Sequence, residues 1–375
     1  MRIALVGRFF APVFGGVEFH MENLGLQMVK RGHEVTVFTR DTDNRGQPLP
    51  PKETLHGLRV VRVGSAGALG RALRAWEGDL FHFHLIHKPF VALGMRAVRK
   101  DPRPKVFTPH CVYPSRNLKV RLVKAAYDPT LGRMSLRLAD RIICLTENDR
   151  ADVLRMGAPG ERIVLIPNAL AEERFEAVKT DPEGFRRKYG VERFLLYVGR
   201  IDWVKGLEFA VDAMAELKRE GLSLVCVGQD FGLRAELEAR AERLGVSDAV
   251  EFTGPVDQPT LASAYAACAA FLLPSRYEGL PTAPMEAMWF GKPVITTLEG
   301  GTKHLINDGV DGLAIPYGDA GAIARKAREV LDGKHPEIGQ RAREKVLRDY
   351  TWSKVGERIE GLYRELLRER GGSAP

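Results

Sequence analysis

Short apolar runs bounded by turn residues recur along this 375-residue chain, with stretches of helical period between them. In the first half the runs are residues 2–6, 34–39, 58–63, 79–84, 105–109, 140–146 and 163–167. They are apolar over most of their length rather than strictly alternating, which predicts strands of a parallel sheet covered on both faces. The second half repeats the theme at 194–198, 223–228, 250–254, 270–274 and 293–297. Helical spacing fills the intervals: Val17, Met21, Leu24 and Met28 recur until Gly32, and Leu207, Val211 and Met214 until Gly221. The alternation predicts an α/β protein of two doubly wound parallel-sheet domains, residues 1–180 and 194–351. The charged, turn-rich DPEGFRRKYGVER at 181–193 is the expected linker, and residues 352–375 are an amphipathic closing helix.

Charge divides the two halves. Residues 1–180 hold 29 Lys and Arg against 18 Asp and Glu, and the remainder 27 against 30. Residues 88–137 alone carry 12 basic side chains against Asp101 and Asp128, a strip that either forms a solvated face or attracts an anionic surface. No nucleic-acid-binding motif accompanies it, so anionic lipid headgroups are the expected partner. Cys111, Cys144, Cys226 and Cys268 form no CxxC pair or disulfide framework, which suits a reducing cytoplasm. The opening apolar run is too short for a signal peptide. Residues 258–275, uncharged, contain Pro259 and small polar residues, and read as a short helix followed by a strand rather than a membrane span. Any membrane contact is expected to be peripheral, on the inner face.

Candidate chemistry concentrates where strands end. Glu278 and Glu286 flank the loop between the strand at 270–274 and a helix for which Thr282 is the expected cap and Pro284 a first-turn residue. A capping box would instead require Glu or Gln at position 285, which is Met. After the strand at 194–198 come Gly199, Arg200, Lys205 and Gly206, with a planar fork and a point charge both suited to phosphate oxygens or to plain surface charge. Gly300, Gly301 and Thr302 are expected to open another helix whose N–H groups can meet an anion. In the first half, Gly15 and Gly16 form a strand-to-helix turn without the GxGxxG of a dinucleotide site. Glu18 and His20 follow in what reads as the first helical turn. His110 ends the strand at 105–109, placed to donate or accept hydrogen bonds near neutral pH. His82, His84 and His87 lack the spacing of a metal ligand set, and no metal is expected.

The strings EGLPTAPMEAM and GKPVI in the second half, with G-R, four residues and K-G before them, resemble the retaining glycosyltransferases of family 4, which have the GT-B fold. The likeness spans nearly the whole chain and is strongest over residues 194–316; it departs where Gly279 runs directly into Leu280. The resemblance implies two Rossmann-like domains facing each other across a cleft, a UDP- or GDP-sugar donor and no required cofactor. It implies that Glu286 binds the ribose, that Glu278, Gly279 and Leu280 lie against the donor sugar, and that Gly199, Arg200, Lys205 and Gly16 meet the diphosphate. It also places the nucleobase at Gly254 and Val256, and the sugar's reacting centre at His110 through TPHCVYP. GGVEFH is similar to members that act on inositol lipids, which makes Gly15, Gly16, Glu18 and His20 acceptor-binding. The implied reaction is sugar transfer to an acceptor hydroxyl with retention, His110, Glu278, Arg200 and Lys205 being the catalytic set. A lipid-linked or anionic acceptor is expected; a soluble sugar or inositol phosphate acceptor, an epimerase or hydrolase, and a non-catalytic nucleotide-sugar binder are the alternatives.

Overall fold

The computed structural model describes residues 1–13, 15–110 and 118–371. The chain divides into two compact units, Met1–Asn168 with Trp352–Pro375, and Ala169–Thr351. The first unit contains β1 (Arg2–Val6), β2 (Glu34–Arg40), β3 (Lys52–Leu55), β4 (Leu58–Val63), β5 (Leu80–His84), β6 (Lys105–Thr108), β7 (Arg141–Cys144) and β8 (Ile163–Leu165). They form an eight-stranded sheet in the order β3-β4-β2-β1-β5-β6-β7-β8. The second contains β9 (Arg193–Val198), β10 (Leu222–Val227), β11 (Val250–Gly254), β12 (Ala270–Leu273), β13 (Val294–Thr297) and β14 (Leu313–Ile315), ordered β11-β10-β9-β12-β13-β14. In each sheet the order reverses once, between β1 and β5 and between β9 and β12. Loops leaving the carboxyl ends of neighbouring strands diverge at such a point and open a ligand crevice.

Three expectations need correction. The segment 181–193 is no linker: Asp181 caps the helix Pro182–Tyr189 by accepting from Gly184 N–H, Gly190 ends it at φ +64°, and Phe185 stacks on Phe194 at 5.5 Å. An Asp cap, a first-turn proline and a left-handed glycine outweigh the charged composition, so the unit boundary falls at Asn168 instead. The first sheet is not wholly parallel, because β3 pairs antiparallel with β4. His56 and Gly57, at φ +50° and +87°, make the two-residue turn between them, the geometry that matches strand twist in a hairpin. Finally, the basic strip is partly internal. Lys105 is buried and donates to the Asp101 and Arg103 carbonyls, and Arg103 pairs with Asp101 at 2.6 Å. Arg116 and Cys111 lie outside the described residues.

Cys144, Cys226 and Cys268 are free and buried, and burial pushes the Cys268 thiol up to about 12. Among the described residues no helix is long and apolar enough to cross a membrane.

Asp149, buried near the start of the helix Glu147–Arg155, makes the fold sensitive to pH. Burial raises its carboxyl from 3.8 to about 6, against the Thr146 and Leu145 hydrogen bonds that favour the ionised form. A carboxyl raised on folding costs stability as pH rises through the interval between the unfolded and folded values. Asp149→Asn is therefore expected to exceed the wild type in stability at pH 7.5 by on the order of 3 kcal/mol, and to match it near pH 4. Urea denaturation at the two pH values measures this, and an equal difference at both would mean that Asp149 ionises freely in the fold.

Candidate functional site

Parallel pairing of β9 with β12 sends the two following loops off the same sheet edge. The first carries Gly199, Arg200 and Lys205 before the helix Leu207–Leu217; the second runs from Pro274 to Pro281 before the helix Thr282–Trp289. Lys205 Nζ donates to Glu278 Oε1 at 2.7 Å, and Ser275 Oγ donates to the same oxygen at 2.6 Å. The two charged side chains are 14% and 5% exposed, so this is an ion pair largely withdrawn from water. Two donors on one carboxylate oxygen hold Glu278 in one orientation, while the ammonium's three protons leave Lys205 able to reach a further acceptor.

Backbone contacts hold the loops together. Gly206 sits at φ +65°, where a Cβ would overlap the Pro274 carbonyl oxygen, so the first loop lies directly on the second. The loop after β13 closes on the other side: Gly300 bridges Glu278, Gly301 N–H donates to the Glu278 carbonyl at 2.8 Å, and Thr297 Oγ1 donates to the Ser275 carbonyl at 2.5 Å. A Cβ at Gly301 would overlap the Gly279 carbonyl oxygen. The expected anion cradle at this turn is corrected on two counts. The helix there is only the four residues Thr302–Leu305, and the Gly301 N–H is already spent on Glu278.

Arg200 and Glu286 are held by other partners. The Arg200 side chain is 51% exposed, 3.6 Å from Asp202, with its guanidinium 5.2 Å above the Phe231 ring. Glu286 accepts from the Tyr265 hydroxyl at 2.7 Å. Burial raises the Glu286 carboxyl above its ordinary value, with Tyr265 and Arg174 acting the other way. Thr282 is the first helical residue and Pro281 the cap, with no side-chain capping bond, so Glu286 lies in the second turn. Gly254, at φ +70°, ends β11, two strands from β9, and the partly buried Val256 follows it. Leu280 is buried. Ser275, Tyr265 and Phe231 are the participants that sequence reasoning missed. Ser275 had one available signal, its place three residues before Glu278 in a loop immediately after a buried strand.

In the first unit a separate group forms at the β1/β5 switch. Gly15 is the extended N-cap of the helix Gly16–Lys30, with Glu18 in its first turn and His20 in its second, one turn later than expected. Burial raises the Glu18 carboxyl, against the pull of Lys88. His84 ends β5, and His110 follows β6 at φ +52°; their Nδ1 and Nε2 atoms are 3.1 Å apart. The His20 ring lies edge-on to His110 at 4.7 Å and to Trp352 at 5.0 Å. Strand alternation puts His82 and His84 on one face, where His82 meets the Tyr363 hydroxyl at 2.5 Å and Thr108 Oγ1 at 2.7 Å. His87 is drawn off to Asp128 at 2.7 Å. The close trio is thus His20, His84 and His110, not the three neighbours in sequence. Burial keeps these imidazoles neutral, lowering His20 to about 4 and His82, His84 and His110 well below the ordinary histidine range.

Two family models match successive parts of the chain: glycosyltransferase family 4 over residues 14–174, and glycosyl transferases group 1 over residues 182–346. A 2-deoxystreptamine glucosyltransferase from Streptomyces kanamyceticus is 30% identical over 279 residues, covering 71% of this chain and 72% of that protein. This chain belongs to glycosyltransferase family 4. The glycosyltransferase is also 29% identical, over 425 residues, to a D-inositol 3-phosphate glycosyltransferase from Acidothermus cellulolyticus, covering all of this chain and 92% of that one. Its two Rossmann-like α/β units make the GT-B fold. Among solved structures, Anabaena HepE in complex with UDP-glucose superposes with a TM-score of 0.78 at 18% identity, over 96% of this glycosyltransferase and 99% of HepE.

Proposed function

We propose that this glycosyltransferase moves a sugar from a UDP- or GDP-sugar to an acceptor hydroxyl with retention of anomeric configuration, the acceptor being lipid-linked or anionic. The observation that carries the reading is the buried Lys205–Glu278 pair at the strand switch of the second unit. Breaking the bond from the anomeric carbon to phosphate leaves negative charge on the diphosphate, and Lys205 with the exposed Arg200 supplies fixed or easily moved cations for it. Glu278, already oriented by two donors, is assigned to the donor sugar with Gly279 and Leu280. Glu286 is assigned to the ribose, Gly199 and Gly16 to the diphosphate, and Gly254 and Val256 to the base. Acceptor oxygen then bonds to the anomeric carbon on the face the phosphate leaves, and the departing phosphate oxygen takes the acceptor's proton. No side-chain nucleophile is required, and His110 acts by orienting sugar hydroxyls. Gly15, Gly16, Glu18 and His20 are assigned to the acceptor.

Screening UDP- and GDP-sugars for nucleotide release, with and without candidate acceptors, tests the reading. Release that needs no acceptor would replace the transferase by a hydrolase or epimerase, and an inverted product anomer would overturn retention.

The membrane part of the proposal narrows to the helix Leu118–Tyr127, none of whose residues is buried. Leu118, Leu122 and Val123 are 63%, 62% and 66% exposed, interleaved with the exposed cations Lys119 and Arg121. Apolar side chains among cations suit the boundary of an anionic bilayer. Leu122→Ser with Val123→Ser is expected to weaken pelleting with anionic liposomes by about tenfold or more, given ~1.5–3 kcal/mol per fully buried apolar side chain. Binding that is unchanged, or equal on neutral liposomes, would remove the lipid surface. The relative that acts on D-inositol 3-phosphate favours a second reading, a soluble inositol phosphate acceptor.

A further inference from the structure

The first unit gathers three imidazoles from three distant stretches of chain: His20 from the helix after β1, His84 from the end of β5, and His110 from just beyond β6. All three are buried, and one ring nitrogen of each lies within 4.8 Å of one from both others. The His84 Nδ1 to His110 Nε2 separation is 3.1 Å. Two imidazole nitrogens on one tetrahedral zinc, each bonded at about 2.0–2.1 Å, stand about 3.3 Å apart.

The 3.1 Å contact takes one nitrogen from His84 and one from His110, and two other buried nitrogens remain. His20 Nε2 and His84 Nε2 are buried without a hydrogen-bond partner. The His20 Nδ1 to Asn168 Oδ1 contact, at 3.1 Å, has the polarity of an Nδ1–H donating to an amide carbonyl. That tautomer leaves the Nε2 lone pair bare, as an outer partner does for a metal-binding histidine.

We propose that His20, His84 and His110 form a three-nitrogen site for a divalent transition metal of the zinc class, with a fourth position left open. An all-imidazole donor set suits Zn²⁺, Ni²⁺ or Cu²⁺ and has no hard oxygen ligand for Mg²⁺ or Ca²⁺. The transfer reaction proposed above does not call on this metal, but it assigns His110 to the sugar and His20 to the acceptor, so a bound metal competes with those roles, and metal affinity rather than turnover tests the site.

The test uses tag-free full-length protein stripped with a chelator. Zn²⁺ titrated against a chromophoric chelator is expected to bind at one tight equivalent, and Co²⁺ in its place to give the intense visible absorption of a tetrahedral nitrogen site. His84→Ala and His20→Gln are each expected to lose the cobalt spectrum and at least a hundredfold in zinc affinity, and Asn168→Ala to lose about 10–100-fold. His56→Ala, which alters an exposed histidine, is expected to change neither. Circular dichroism checks folding, and His20→Gln serves if His84→Ala is unfolded. A weak octahedral cobalt spectrum, no tight equivalent, or zinc affinity unaffected in folded His20→Gln would overturn the site.

Discussion

Lys205→Ala is expected to lower kcat/KM for the sugar donor by about 10²–10³-fold, the loss seen when one fixed donor to a developing oxyanion is removed. The same change is expected to lower folding stability by about 3 kcal/mol or more, because removing one partner of a buried ion pair strands the other. Glu278 is that partner, 5% exposed and left with Ser275 as the donor to its Oε1. The double replacement Lys205→Met with Glu278→Gln separates the two effects. Neutral groups of similar size need no counter-ion, so most of the stability is expected to return. Activity is not, since the exposed Arg200 is then the one assigned cation left for the diphosphate. Urea denaturation and nucleotide release on the wild type and the two variants measure both quantities. Lys205→Ala with kcat/KM within threefold of wild type would falsify the assigned diphosphate contact, whatever its stability.

Gly301→Ala is expected to be the most damaging single methyl group in the second unit. The new Cβ would occupy the space of the Gly279 carbonyl oxygen, and the contact is backbone on backbone, so no side chain can swing away. The loop after β13 must separate from the loop after β12, taking with it the Gly301 N–H to Glu278 carbonyl bond of 2.8 Å. A cost of about 3 kcal/mol or more follows, in the range reserved for overpacking and broken buried hydrogen bonds. Because Glu278 belongs to the displaced loop, donor turnover is expected to fall as well, even in protein that remains folded at low temperature. Gly361 gives the opposite result. It lies exposed in the helix Trp352–Glu369 with nothing within 4 Å of its Cβ position, so Gly361→Ala is expected to add about 0.5–1 kcal/mol through helix propensity alone. Thermal denaturation of both variants checks the pair, and Gly301→Ala melting at the wild-type temperature would sink the close-approach argument.

Much of the strand inventory was legible because a buried parallel strand writes itself as an uninterrupted apolar run. Residues 2–6, 58–63 and 250–254 read from sequence coincide with β1, β4 and β11. The strands that escaped lack that signature. β3 is KETL, with exposed and half-buried positions alternating, and β14 is only three residues long. The helix Pro182–Tyr189 was hidden by its charge although its Asp, Pro and Gly punctuation was in plain view. At the candidate site, Lys205 and Glu278 stood out because two charged residues followed two apolar strands. Ser275 and Tyr265 did not, since a serine in a loop and a tyrosine in a small-residue helix signal nothing until their hydroxyls find a carboxylate.

Local pattern, by itself, determined the α/β class, the buried strands other than β14, the glycine turns and the charged residues offered at strand ends, because each depends on neighbours within a few positions. Tertiary structure decided which of those residues meet. Hydrogen bonding sets β5 beside β1 and β12 beside β9, out of chain order. That pairing brings His84 toward His20 and Glu278 onto Lys205, leaves Arg200 with Asp202 and Phe231, and gives Glu286 to Tyr265. Contacts between residues 64 or 73 positions apart follow from sheet order and loop packing, neither of which any local run of sequence encodes.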